Sequence, residues 1–219
     1  MYELAIVGIF ALLTWKATSS RHDGDIEVPR KVGDKMGKLW DIAHQGMREN
    51  RFLRAEKALL TILKIDQKNA PAYNRLGILY AKQKEYKDAI DCFEIASSIE
   101  PTPSSLHNLG LIYYETENYQ KAATAFEQSL KLEDGMAVRH IAYSKVQEKL
   151  GNSKLMIQGL ETAVELEPNK ESYTLLKSAY ESQNMTDEAA AIDKKLSKLI
   201  TSSSRPATKK VRRAKRVVV

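Results

Sequence analysis

The stretch from Leu76 to Pro101, LGILYAKQKEYKDAIDCFEIASSIEP, carries a pattern of large and small residues that returns farther along the chain. The residues that recur after 33 positions are Leu76, Gly77, Tyr80, Ala89 and Phe93, matched by Leu109, Gly110, Tyr113, Ala122 and Phe126. A fixed period of about 34 residues is typical of helix-turn-helix units, each with one apolar face that only a neighbouring unit can bury. The stretch therefore predicts an all-α chain built as a helical solenoid.

These residue types and offsets resemble the tetratricopeptide repeat, which places Leu-Gly and Tyr on a first helix, Ala and Phe on a second, and Pro at the end. The resemblance implies a tetratricopeptide-type solenoid that binds other proteins along a surface. Weaker copies of the pattern extend it in both directions; Gly46, for example, stands where tyrosine is expected. We expect five units within residues 36–200, with boundaries at 36–69, 70–102, 103–136, 137–170 and 171–200.

The composition is that of a globular protein, with 43% hydrophobic and 28% charged residues. Cys92 is the only cysteine, which excludes an intramolecular disulfide and a zinc site with several cysteines. The four histidines show no helical i, i+4 pairing, and no nucleophile or phosphate-loop motif is present in the sequence. We therefore predict that the protein is not an enzyme, with no catalytic residue, no cofactor and no metal.

The apolar segment LAIVGIFALLTW, residues 4–15, is uncharged and lies between Tyr2 and Trp15. Fourteen residues from Tyr2 to Trp15 span about 21 Å as a helix, against a hydrocarbon core of about 30 Å. Basic residues follow this segment and none precedes it, which favours a cytoplasmic location for the repeats. We predict a single-pass anchor over residues 1–16, in the membrane through residues 2–15, and a flexible tether over 17–35. A cleaved signal sequence and an apolar helix docked on the solenoid are the alternatives.

The face lined by the first helix of each repeat is the partner-binding surface that the resemblance implies. Its candidate residues are Trp40, His44, Arg48, Asn74, Ile78, Lys82, His107, Leu111, Tyr114, Ile141, Lys145 and Lys149. This mixture of apolar and basic groups suits a protein or peptide ligand with a hydrophobic anchor and an acidic group. Each residue also has a structural interpretation, since Ile78 or Leu111 could seal the contact with the next repeat.

The chain has a formal net charge of +6, and the excess lies in residues 201–219, which we call the basic tail. Its basic residues are Arg205, Lys209, Lys210, Arg212, Arg213, Lys215 and Arg216, and it has no acidic residue. Like charges repel, so we expect the basic tail to be disordered in isolation. We expect it to bind anionic lipid, with nucleic acid and a purely solvated tail as alternatives.

Together these features predict a membrane-anchored scaffold, or adaptor, with its repeats on the cytoplasmic side. An exported repeat protein of envelope or pilus assembly is one alternative. The other is a nucleic-acid-associated protein that acts through the basic tail.

Overall fold

The computed structural model describes residues 30–203, which form ten α-helices and contain no strand. The helices are α1 (Arg30–Arg48), α2 (Phe52–Ile65), α3 (Ala70–Lys82), α4 (Tyr86–Ile99), α5 (Pro103–Glu115), α6 (Tyr119–Leu132), α7 (Ala137–Lys149), α8 (Ser153–Leu166), α9 (Lys170–Ser182) and α10 (Thr186–Ser203). Consecutive helices pair into five hairpins, here called repeats 1 to 5, and each repeat packs on the next. The prediction of an all-helical solenoid is confirmed for this part of the chain.

Side-chain caps mark where several first helices begin. The Thr102 hydroxyl oxygen accepts a hydrogen bond from the Ser105 N–H at 3.1 Å, and the Ser105 hydroxyl oxygen accepts one from the Thr102 N–H at 3.1 Å. Asn69 caps α3 in a similar way by accepting from the Ala72 N–H at 3.0 Å. These bonds satisfy N–H groups that have no partner within the helix, so they fix the point at which each helix starts.

The turn inside each repeat contains one residue with a positive φ angle. These residues are Asn50, Lys84, Glu117, Gly151 and Asn184, with φ between 56° and 75°. Only Gly151 is a glycine, and a positive φ is costly for a residue with a Cβ atom. The same sharp turn therefore recurs in all five repeats, although the residue that adopts it changes.

The Leu-Gly and Phe positions of the repeat pattern meet at the centre of repeats 2 and 3. A Cβ atom on Gly77 would lie 2.7 Å from the ring of Phe93, and one on Gly110 would lie 2.8 Å from the ring of Phe126. Both phenylalanines are 1% exposed. The glycine thus lets the two helices of a hairpin approach closely enough for the ring to fill the space between them.

A tyrosine–glutamate hydrogen bond joins each repeat to the next one. The donor hydroxyl is on the first helix of one repeat, and the acceptor carboxylate is on the second helix of the preceding repeat. The pairs are Tyr80 with Glu56 at 2.8 Å, Tyr113 with Glu94, Tyr143 with Glu127 at 2.9 Å, and Tyr180 with Glu161 at 2.6 Å. Every junction in the described array is therefore bridged by a charge-assisted hydrogen bond.

The ends of the array differ in detail from the sequence prediction. The helix α1 begins at Arg30 and so includes residues 30–35, the last part of the predicted tether, and α10 continues to Ser203. From Arg30 to Ser203, no helix combines the length and the apolar character needed to cross a membrane. The predicted anchor, residues 1–16, and the seven basic residues of the basic tail lie outside the described residues.

Candidate functional site

A cavity of about 370 Å³ lies among the first helices of repeats 3, 4 and 5, and we call it the α5–α7 groove. Its lining residues are His107, Leu111, Tyr114, Glu115, Phe126, Ala137, Val138, Ile141, Ala142, Lys145, Glu167, Asn169 and Glu171. They come from α5, α6, α7, the α8–α9 turn and the start of α9. The repeat geometry therefore brings together residues that are far apart in the sequence.

The floor of the α5–α7 groove is apolar. The ring of Phe126 is buried, whereas Leu111 is 39% exposed and Val138 is 52% exposed. Tyr114 packs edge-on against Tyr119, with ring centroids 5.7 Å apart, and this contact restricts the Tyr114 ring at the side of the groove. Large apolar side chains held open to solvent in a concave site are typical of surfaces that bind a partner.

His107 contributes a partly buried imidazole to this lining. Its Nδ1 atom is buried and has no hydrogen-bond partner among the described residues, and its ring lies 5.3 Å from the Phe126 ring. Burial lowers the pKa of His107, and the positive charge of Arg139 lowers it further. The imidazole is therefore neutral at pH 7, and its Nδ1 atom is closed off from solvent.

Arg139 is a buried cation behind the α5–α7 groove, with only 5% of its surface exposed. Its Nη1 atom donates to the Glu133 carboxylate and, at 3.3 Å, to the Glu133 backbone oxygen. The pairing holds the start of the α6–α7 turn against α7. Because the charge is compensated there, Arg139 shapes the turn and affects His107 through the electric field, while it does not line the groove.

The charges along the rim differ from the sequence expectation. The rim carries one lysine, Lys145, and three exposed carboxylates, those of Glu115, Glu167 and Glu171. The rim therefore has more acidic than basic groups at neutral pH. An acidic ligand group could pair only with Lys145, whereas a basic ligand group could pair with any of the three glutamates.

Five of the predicted residues meet in the α5–α7 groove: His107, Leu111, Tyr114, Ile141 and Lys145. The others lie elsewhere on the first helices. Trp40 stacks on His44 with ring centroids 5.5 Å apart, and Asn74 accepts a hydrogen bond from Asn108 at 3.3 Å. Arg48, Lys82 and Lys149 are exposed in the last turns of their helices, and Ile78 packs against the cores of repeats 1 to 3.

The sequence placed Phe126 only in the repeat pattern, and it did not predict Val138, Ala142 or the three carboxylates of the rim as groove residues. Glu115 could have been found, because it lies at the offset of Lys82 and Lys149, which were predicted. Glu167, Asn169 and Glu171 belong to a turn between repeats and to the first turn of α9, outside the positions that a repeat pattern compares.

A second cavity, of about 640 Å³, lies on the outer side of repeat 1. Leu39, Ile42, Phe52, Leu53 and Ala58 are its apolar lining residues, and its rim carries Arg51, Arg54 and Lys57. No repeat within the described residues packs on this side of repeat 1, which explains why Leu53 is 65% exposed. The described residues contain no cluster of histidine, cysteine or acidic side chains able to hold a metal ion.

Residues 69–133 match the sequence model of the tetratricopeptide repeat family. This range includes the two strong copies of the pattern. No curated protein is similar to the chain at the level of sequence.

Several solved structures share the fold. MamA protein, known from a crystal structure, has 21% sequence identity to this chain, and its structure superposes with a TM-score of 0.71. The match covers 80% of this chain and 98% of that chain. A MamA structure from Desulfovibrio magneticus RS-1 is 17% identical with a TM-score of 0.71, covering 78% and 98%. YrrB, described as a TPR protein with an unusual peptide-binding site, is 18% identical with a TM-score of 0.63, covering 72% and 82%. Residues 69–133 therefore carry tetratricopeptide repeats, and the ten described helices have the fold of a tetratricopeptide solenoid.

Proposed function

We propose that this protein is a non-enzymatic interaction scaffold that holds a segment of a partner protein in the α5–α7 groove. The observation that carries the proposal is the open apolar floor of the groove, with charged groups around it. Such a site offers apolar contact area and electrostatic selection, which are elements of peptide recognition. The peptide-binding site described for YrrB, a protein of similar fold, supports the same kind of ligand.

The bound segment combines an apolar side chain with a basic one. The apolar side chain packs against Leu111, Val138 and Ile141, and the basic one faces the carboxylates of Glu115, Glu167 and Glu171. This differs from the acidic ligand group expected from the sequence, because Arg48, Lys82 and Lys149 do not line the groove and three glutamates do.

The scaffold is anchored to a membrane through residues 2–15, with the repeats on the cytoplasmic side. The apolar run and the basic residues that follow it support this arrangement. Mass spectrometry of the mature protein tests the anchor, because an N-terminus near Ser19 would mean that a signal sequence is removed. Labelling of the repeats from the outside of intact cells would instead favour an exported protein.

The cavity of repeat 1 supports a different place for residues 2–15. This apolar segment could cover Leu39, Ile42 and Leu53, with its acidic linker residues Asp23 and Asp25 near the basic rim. A spin label attached at position 9 distinguishes the two arrangements. Contact with lipid chains supports the anchor, and contact with α2 supports docking on the solenoid.

The basic tail binds the anionic surface of the same membrane. The anchor keeps the chain close to the bilayer, and each basic residue contributes about 1 kcal/mol near an anionic surface. Co-sedimentation with vesicles that contain phosphatidylserine tests this role, with neutral vesicles and RNA as comparisons. Binding that does not weaken with added salt would contradict it, because counter-ions screen such contacts.

Site-specific photo-crosslinking tests the groove. A photo-reactive residue replaces Val138, which lines the α5–α7 groove, or Lys131, which is exposed on α6 and does not line it. We expect partner crosslinks from position 138, and the crosslinked segment should contain both apolar and basic residues. Equal or stronger crosslinking from position 131 would place the partner outside the groove.

A further inference from the structure

We propose that residues 204–219, the part of the basic tail beyond α10, occupy the α5–α7 groove when no partner is bound. The inference rests on the proposed function of the groove and adds its regulation by a segment of the same chain. The partner then has to displace the tail before it can bind.

The first support is the position from which the tail leaves the array. The helices α9 and α10 pair as an antiparallel hairpin, with Lys177 Nζ 2.5 Å from Asp193 Oδ1. From this contact α10 runs back toward the start of α9, where Asn169 and Glu171 line the groove. The helix α10 has 18 residues and α9 has 13, so Ser203 lies at or beyond the beginning of α9.

The second support is the length of the segment. At least sixteen residues follow Ser203 in the sequence, and an extended chain advances about 3.3 Å per residue. The tail can therefore extend about 50 Å, whereas neighbouring helix axes are about 10 Å apart. It can pass around the start of α9, enter the groove and reach Glu115 at the end of α5 without any movement of the helices.

The third support is the match of residue types. The stretch VRRAKRVVV, residues 211–219, has basic residues between valines and no acidic residue. The groove presents the complementary set, with an apolar floor at Leu111 and Val138 and the carboxylates of Glu115, Glu167 and Glu171 at its rim. Valine side chains can thus be buried while the guanidinium groups pair with carboxylates at the edge.

A tethered ligand has an effective concentration in the millimolar range, so even weak binding keeps the groove occupied. The apparent affinity for a partner equals the intrinsic affinity multiplied by the fraction of molecules whose groove is empty. Any surface that binds the basic residues more strongly, such as the anionic lipid proposed above, would release the groove. While it occupies the groove, the segment inhibits partner binding.

The test measures the distance between the tail and the far end of the groove by double electron–electron resonance. Full-length protein in a neutral detergent carries Cys92→Ser and spin labels at Thr116→Cys and Ala214→Cys. Thr116 is exposed and follows Glu115, and Ala214 lies among the basic residues. We expect a narrow population at short distance, which 1 M salt removes.

Two glutamates provide a matched pair of variants. Glu115 and Glu165 are both exposed in the last turn of a helix, but only Glu115 lines the groove. Glu115→Lys should remove the short-distance population, and Glu165→Lys should leave it unchanged. Adding Arg213→Glu to Glu115→Lys should restore it at least in part, which a folding defect would not allow.

A single broad distribution in the protein with native charges would overturn the inference, as would equal effects of Glu115→Lys and Glu165→Lys. The proposed function fails in a different way. If the tail docks but position 138 never crosslinks to another protein, the tail is the ligand of the groove and the scaffold role is wrong. If position 138 crosslinks to a partner but the tail stays distant, only the inference is wrong.

Discussion

Gly159 of α8 lies so close to Ser144 of α7 that a Cβ atom at position 159 would collide with the Ser144 hydroxyl oxygen. In repeats 2 and 3 the glycine is on the first helix, and a phenylalanine of the second helix packs against it. Repeat 4 reverses this arrangement, with serine on the first helix and glycine on the second. The close approach of the two helices is therefore kept, although the smallest residue has moved to the opposite helix.

We expect Gly159→Ala to lower the free energy of unfolding by about 1 to 2 kcal/mol, since the strain of overpacking exceeds the gain in helix propensity. Ser144→Gly in the same chain should recover part of this loss by making room for the new methyl group. Urea unfolding followed by circular dichroism measures both effects. Gly135→Ala is the control and should change stability by less than about 0.5 kcal/mol, because a Cβ atom there meets nothing within 4 Å.

The tyrosine–glutamate bonds between repeats should each contribute measurably to stability. Tyr180→Phe removes the hydroxyl that donates to Glu161 at 2.6 Å and should cost about 1 kcal/mol. Tyr73→Phe is the control, because the Tyr73 hydroxyl makes no hydrogen bond to another described residue. A double-mutant cycle with Glu161→Gln measures the coupling. Equal losses from Tyr180→Phe and Tyr73→Phe would show that the bond contributes nothing.

The same bonds predict a loss of stability at high pH. Burial, together with the hydrogen bond to Glu127, raises the pKa of Tyr143 from 10.0 to about 12, and the pKa values of Tyr80, Tyr113 and Tyr180 are also raised. The folded state thus holds these protons more tightly than the unfolded state. The stability is fully present below about pH 10 and falls as the pH rises toward 12.

Urea midpoints at several pH values above 8 measure this effect. Burial also raises the pKa of Cys92, to about 11, so the comparison is best made with Cys92→Ala as the parent protein. Replacing Tyr143 by phenylalanine should reduce the slope of stability against pH between about 10 and 12. An unchanged slope would mean that the hydroxyl ionises equally well in the folded and unfolded states.

Partner capture should depend on the aromatic side of the groove. Tyr114→Ala removes a half-buried ring that lines the α5–α7 groove, and large aromatic residues at such sites often contribute about 2 kcal/mol or more to binding. We expect partner recovery from solubilised membranes to fall at least tenfold, whereas Lys131→Ala should leave it unchanged. Loss of capture with Lys131→Ala and normal capture with Tyr114→Ala would move the binding site to the outer helices.

The repeating positions made the fold predictable from the sequence. Leu76, Gly77 and Phe93 return at fixed offsets, and their roles are visible in the contact of Gly77 with Phe93. Repeat 4 was harder to recognise, because Ser144 and Leu160 hold the glycine and phenylalanine positions of the pattern, and its own glycine lies at position 159, which the pattern does not compare. Only the packing of α7 on α8 shows that the two arrangements are equivalent.

The groove was only half predictable for a different reason. Its first-helix residues, such as Leu111 and Lys145, follow the repeat and were found from it. Glu167 and Glu171 reach the groove because the next repeat begins beside it, and a pattern within one repeat does not describe that contact. The charge of the site therefore became clear only when neighbouring repeats were placed together.

The junction hydrogen bonds also bear on how such a chain can evolve by duplication or exchange of its units. In repeat 1 the acceptor carboxylate is that of Glu56, one helical turn before the position that corresponds to Glu94. Leu60 holds that corresponding position. In repeat 4 the donor is Tyr143, one helical turn before the position that corresponds to Tyr113. Gln147 holds that corresponding position. Each shifted group bonds to an unshifted partner in the adjoining unit, so a shuffled chain that joined repeat 1 directly to repeat 4 would displace both groups at one junction. Repeats 1 and 4 are therefore marked by their junction pairs and are not interchangeable with the other units.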